Sequence, residues 1–279
     1  MPGIRSWRSL CVALCMIVAG PSPVWAQAEP LRLLAAGSLT QAMGEVAAAF
    51  AGTPGGQQVA TGFGPSGLLR ERIERGEARA DVFFSASLEH ATRLEQAGRA
   101  VAPAVVFVRN RLCLLVRPGL TVTPSAVLDT LLDPVVRLGT STPRADPSGD
   151  YAWALFARAE AVRPGSRAML EGKALQLVGG PSSATPPAGI GAVGWHFREG
   201  RADVFLGYCT SGAQAAREVP GITVQDLPPS LAVGADYGMA LLSARPEAVR
   251  LALFALSPAG QTILARHGFA PVTQIADTP

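Results

Sequence analysis

The chain has 279 residues, 48% of them hydrophobic and 16% charged, which is enough apolar content for one large domain or two with a substantial core. Its formal charge of +3 falls to +1 once a leader carrying Arg5 and Arg8 is set aside, because that leader holds no acid. A balance so near zero excludes the broad basic field that nucleic-acid binding requires, and the arginines scattered among glutamates read as solvated helix faces.

Arg5 and Arg8 precede the apolar run Leu10 to Ala19, and Val24-Trp25-Ala26 supplies a cleavage point, so residues 1–26 read as a secretory signal peptide cut near Ala26. The run is too short to span a bilayer. Cys11 and Cys15 lie inside the leader without the small residue that a lipoprotein signal places before its cysteine, so no lipid anchor is expected. The expected compartment is the periplasm.

Short β-like runs then alternate with helical patterns: strand Leu31 to Ala36, helix Leu39 to Phe50, strand Gln57 to Gly62, helix Gly67 to Gly76, strand Asp81 to Ser85 and helix Leu88 to Ala97. That rhythm is the rhythm of parallel βαβ units. Arg111 to Arg117 reads as a strand ending at Pro118-Gly119, and a second series follows: helix Ser125 to Leu132, strand Val135 to Thr140, helix Gly149 to Ala161 and strand Ala202 to Tyr208. Gly179 to Gly194 is rich in Gly, Pro and Ser and reads as loop. Strand Tyr237 to Ser243 and helices Pro246 to Leu256 and Ser257 to Arg266 complete the chain.

Three of these junctions share a chemistry. Ala36-Gly37-Ser38-Leu39-Thr40, Gly64-Pro65-Ser66-Gly67 and Asp146-Pro147-Ser148-Gly149 each bring a serine to the place where a helix opens. A helix start offers unpaired N–H groups and partial positive charge, so a serine there either caps the helix or adds a donor to a site for an oxyanion. The segment Gly62 to Gly67 also matches GxGxxG with Asp81 downstream, but Pro65 removes a donor that a dinucleotide phosphate turn would use. Gly64-Pro65-Ser66-Gly67-Leu68 begins like a GxSxG nucleophile elbow, with Asp236 and His267 in the order of a hydrolase triad, yet its fifth position is Leu68. Cys113 and Cys209 are the cysteines left after the leader; an exported chain can pair them, and two buried thiols are the alternative. His90, His196 and His267 lack any metal-site spacing.

Taken in order, Ala35 to Thr40, Phe63-Gly64-Pro65-Ser66-Gly67-Leu68-Leu69, Ala80 to Ala86, Asp146-Pro147-Ser148-Gly149-Asp150-Tyr151-Ala152, Gly200-Arg201-Ala202-Asp203 leading to Tyr208, and Ser257-Pro258-Ala259-Gly260-Gln261 to Gly268-Phe269 resemble the periplasmic molybdate-binding proteins of ABC importers. The resemblance implies an α/β fold of type II periplasmic binding architecture, with residues 29–110 plus 232–279 as lobe one, 111–231 as lobe two and the ligand in the cleft between. It implies that Ser38, Ser66, Ser148 and Tyr208 hold molybdate or tungstate through neutral donors, with Phe197 on the lobe-two wall where a small apolar residue is usual. It further implies a monomer without cofactor or catalysis, handing its anion to a membrane permease. Ser148 departs from the usual Ala, and Arg144 stands close enough to that turn to add a charge, so another oxyanion or a small organic anion is the nearer alternative.

Overall fold

Alternation along the strands sends side chains to two faces, and helices cover both. In the computed structural model, which describes residues 29–272, strand β1 (Leu31–Ala36) puts Leu31, Leu33 and Ala35 into one apolar cluster and Leu34 against another. The first cluster packs on α1 (Thr40–Ala51); the second receives Leu69 and Ile73 from α2 (Ser66–Glu74), which follows β2 (Val59–Gly64). In β3 (Val82–Ser85), Val82 and Phe84 join the α1 side and Phe83 the side shared with α3 (Leu88–Gln96). A strand buried on both faces needs apolar residues at every position, which is why β3 reads as a continuous Val-Phe-Phe run.

Strand β4 (Val105–Val116) crosses from one half of the molecule to the other. Its first part pairs with β9 (Gly234–Leu241), while Leu112 to Val116 pair with β7 (Val204–Tyr208) and Cys113 to Val116 also with β8 (Thr223–Asp226). The second half contains α4 (Val127–Leu132), β5 (Leu138–Ser141), α5 (Pro147–Val162), α6 (Ser166–Lys173), β6 (Leu175–Val178), α7 (Ala192–Arg198) and α8 (Cys209–Glu218). After β9 the chain returns to the first half through α9 (Pro246–Leu256), α10 (Pro258–Arg266) and the short β10 (Ala270–Pro271). The sheet order is β2-β1-β3-β9-β4-β7-β5-β6, with β8 and β10 paired to β4 outside that path. The result is a mixed α/β fold on one sheet of parallel and antiparallel strands.

The two halves repeat one device at the amino ends of their strands. Ala80-Asp81-Val82-Phe83 and Ala202-Asp203-Val204-Phe205 carry the same four residues. The Asp81 carboxylate accepts the Arg32 N–H at 2.8 Å and faces Arg245 at 3.4 Å, while Asp203 accepts the Arg137 N–H at 2.9 Å and both guanidinium groups of Arg137 and Arg117 at 2.8 Å. Those partners hold the Asp203 carboxyl well below the usual carboxylate range, with the Arg137 hydrogen bonds the main cause. Each aspartate thereby ties the start of one strand to its parallel neighbour.

Several expected boundaries move for identifiable reasons. The strand expected from Arg111 begins six residues earlier at Val105, because Arg109 and Arg111 keep their charges outside the sheet on Asp236 and Asp226 while their backbone continues the ladder. Val135, expected in β5, stands 80% exposed in the turn before it. Helix α5 starts at Pro147 instead of Gly149, since Asp146 caps it by accepting the Ser148 N–H at 3.1 Å. The end of the expected 179–194 loop is already helical from Ala192. Cys113 and Cys209 form a disulfide, which fastens the start of α8 to β4. The leader with Cys11 and Cys15 lies outside the described residues, among which no single helix is long and apolar enough to cross a membrane.

Candidate functional site

The serine joints all lie at the carboxyl ends of strands, where open α/β sheets present their crevice. Local structure decides first whether each serine is a cap. The Gly37–Leu39 turn and α1 have no side-chain cap, and Thr40 turns its hydroxyl back onto the Gly37 carbonyl at 2.7 Å. Helix α2 follows Pro65, which has no side chain able to cap, so Ser66 is its first residue. In α5 the cap is Asp146, two residues before Ser148. None of the three serines therefore caps its helix.

Contacts instead link these joints to one another. The Ser38 and Tyr237 hydroxyls meet at 2.9 Å, and the buried Asn110 amide donates to Tyr237 Oη at 3.2 Å and to Thr210 Oγ1 at 2.9 Å. The Tyr237 ring stands edge-on to Tyr208 at 5.5 Å, and Tyr208 to Tyr151 at 6.2 Å. Tyr151 donates its O–H to the Ala86 carbonyl at 3.3 Å, while Ala86 N–H donates to Ser66 Oγ at 3.1 Å. The Gly67 N–H then reaches across to the Ala145 carbonyl at 3.0 Å, next to Asp146 and Ser148. Ser38, Ser66 and Tyr208 are thus linked by contact, and Ser148 follows close in sequence after the Ala145 carbonyl that Gly67 meets.

Burial sets the electrostatics of these groups. Ser66 is 1% exposed and its oxygen is an acceptor from Ala86, which leaves its proton to donate. Tyr208 is 3% exposed, and its hydroxyl, buried near that of Tyr237, meets hydrogen-bond geometry with no group among the described residues. Burial pushes the Tyr208 and Tyr237 phenols well above their ordinary value, so both remain protonated donors. The Asp146 carboxyl is raised to about 6, chiefly by burial and against the bond from Ser148 N–H. No Lys or Arg side chain bonds any of these hydroxyls among the described residues, and Arg144 directs its side chain to solvent.

Phe197 does not join these contacts. It packs with Cys113, Leu115, Phe205, Ala215 and Ile222 in the cluster under α7 and α8. Two cleft residues, Asn110 and Tyr237, escaped the sequence reading: a polar residue inside an apolar strand run is the signal Asn110 offered, and Tyr237 gave none beyond its place in a strand. A hydrolase triad is not assembled, since His267 bonds Glu45 at 2.9 Å and Asp236 bonds Arg109 at 2.9 Å, both away from Ser66.

Comparison with known proteins bears on the family and the fold. The profile of the bacterial extracellular solute-binding protein family matches residues 31–270. The uncharacterized protein PM1146 of Pasteurella multocida is 42% identical over 217 residues, 77% of this chain and 88% of that one. Among solved structures, the sulfate-binding protein SubI of Mycobacterium tuberculosis superposes with a TM-score of 0.72 at 19% identity, covering 88% of each chain. The periplasmic molybdate-binding protein of Azotobacter vinelandii does so with a TM-score of 0.66 at 20% identity, covering 86% of this chain and 98% of that one.

Proposed function

Because this chain belongs to the bacterial extracellular solute-binding protein family, we propose that it captures molybdate or tungstate in the periplasm and hands the oxyanion to the permease of an ABC importer. Proteins of this family bind a solute and release it unchanged, so the chain is not an enzyme. In this reading residues 29–110 with 232–279 and residues 111–231 are two lobes, the leader is removed near Ala26, and Ser38, Ser66, Tyr208 and Ser148 face the anion.

The observation that carries the reading is the buried Tyr208 O–H without a partner. Leaving such a donor unmade costs about 1–3 kcal/mol, a cost that an oxyanion in the cleft removes. Neutral hydroxyls suit a tetrahedral dianion because they share its charge without a buried ion pair, whose desolvation offsets much of its attraction. Selectivity then follows from size: an anion too small to reach every donor leaves some of them unpaired. A second reading, sulfate, rests on the likeness to the sulfate-binding protein of Mycobacterium tuberculosis.

Thermal shifts with molybdate, tungstate, sulfate and phosphate separate these readings. A ligand a thousandfold above its Kd stabilises by about 4 kcal/mol. We expect that shift with molybdate and tungstate. A large shift with sulfate or phosphate and none with molybdate would sink the proposal.

A further inference from the structure

Gly67 stands in the first turn of α2, and its backbone is not in the left-handed region. Its own conformation makes no demand for glycine, and alanine is the better helix former. The demand comes from the other half: a Cβ at position 67 would lie 2.2 Å from the Arg144 carbonyl oxygen and 2.8 Å from that of Ala145. The absent side chain is what lets the Gly67 N–H reach the Ala145 carbonyl at 3.0 Å.

The turn that offers these carbonyls is held in place. Among the described residues Arg144 is the one non-glycine with positive φ, at 67°. Its N–H is fixed by Asp150 Oδ1 at 2.8 Å, and the Asp146 N–H by the Thr142 carbonyl at 3.0 Å. Such a left-handed residue persists only where its surroundings over-determine it. A second bond, from Tyr151 O–H to the Ala86 carbonyl at 3.3 Å, crosses the cleft beside the first.

We infer that Gly67 and the Pro143–Asp146 turn form the latch that holds the two halves closed, acting as positioning residues; the inference rests on the reading that the halves open and close around an anion. The latch joins backbone to backbone and involves neither the serine hydroxyls nor Tyr208. Position 67 therefore sets how much of the protein reaches the closed, binding-competent form, and so scales the affinity for every anion alike. The hydroxyls set which anion is preferred.

The test uses the mature full chain with Gly67→Ala and, as its counterpart, Gly44→Ala in α1, where an added Cβ would meet no atom within 4 Å. We expect Gly67→Ala to weaken molybdate, tungstate and any sulfate binding by the same factor, at least about tenfold, by depleting the closed form. Its unliganded chain still unfolds cooperatively, since alanine favours α2. Small-angle X-ray scattering at saturating molybdate should give a larger radius of gyration for Gly67→Ala than for wild type, while Gly44→Ala matches wild type in affinity and radius. Wild-type affinity with a wild-type radius in Gly67→Ala overturns the latch, as does a change in the ratio between anions. If no anion stabilises the wild type, the proposed function falls, and the unliganded radii decide the latch: a larger variant supports it and equal radii overturn it.

Discussion

The two halves of the molecule agree at the amino ends of their strands and differ at the carboxyl ends. Asp81 and Asp203 do the same work, each bridging the starts of two parallel strands. At the other end, α1 and α2 open without any side-chain cap, whereas α5 opens on the Asp146 carboxylate. A helix start attracts anions because its N–H groups are unpaired, so a carboxylate placed there uses up what a ligand would take. The α1 start has no side-chain cap to compete with a solute, α2 likewise has none but gives its Gly67 N–H to the Ala145 carbonyl, and the α5 start is occupied by its own acid. Helix α8 restores some balance, since Tyr208 precedes it and contributes no side-chain cap.

Six substitutions sharpen or break this contrast. The largest effect is on stability and belongs to the shared ends: Asp203→Ala should lower unfolding free energy by roughly 2–3 kcal/mol in denaturant titration, and Asp81→Ala by less, because Asp203 answers two guanidinium groups. As the Asp203 carboxyl is depressed, its contribution is complete above the ordinary value of 3.8 and fades as the pH falls below it. No loss from either variant would break the likeness we draw between the halves, and equal losses would overturn the ranking.

Next come the open joints. Ser66→Ala and Tyr208→Phe should each weaken anion binding by about 1–3 kcal/mol, read by calorimetry. Tyr208→Phe should at the same time leave the unliganded protein as stable or more so, because it deletes a donor that has no partner there. A loss of stability with unchanged affinity would make both residues structural.

Asp146→Asn keeps a capping oxygen while removing the charge. Burial raises the Asp146 carboxyl to about 6, so its favourable contribution is complete below 3.8 and is lost as the pH rises through about 6. Relative to Asp146→Asn, the wild type should therefore lose on the order of 2–3 kcal/mol between about pH 4 and 7. Anion affinity of the variant should rise a few-fold as the α5 start recovers its partial charge. The smallest effect is expected of Ser148→Ala, under about 1 kcal/mol in binding, since the backbone N–H of Ser148 is already committed to Asp146. A loss equal to that of Ser66→Ala would erase the distinction between open and capped joints.

Much of this was legible in the chain. The first βαβ series follows from apolar runs bounded by glycine and serine, and α9 and α10 from their first-turn prolines. The serine joints were visible as strand-to-helix turns. What was not visible depends on tertiary partners. Residues 209–218 contain few large apolar side chains, and α8 forms because the Cys113 bond and the Asn110 amide hold its start against β4. Asn110 and Tyr237 enter the cleft only because β4 and β9 pair in the register that sets Asn110 opposite Ala235. The role of Asp146 as cap could be read from Asp-Pro-Ser-Gly, but its raised carboxyl could not, because burial is a property of the fold.

The Cys113–Cys209 bond also encloses the chain between its ends, 96 residues apart, which includes α4 to α7 and strands β5 to β7. In the chain-entropy account a ring of that size removes roughly 4–5 kcal/mol of freedom from the unfolded ensemble. Redox state thus acts on this half as temperature would: the same sequence is looser where thiols stay reduced and firmer where they oxidise. The gain is local to one half and to the strand that joins it to the other, so oxidation stiffens the frame against which Tyr208 is positioned while leaving the β1 side of the cleft untouched.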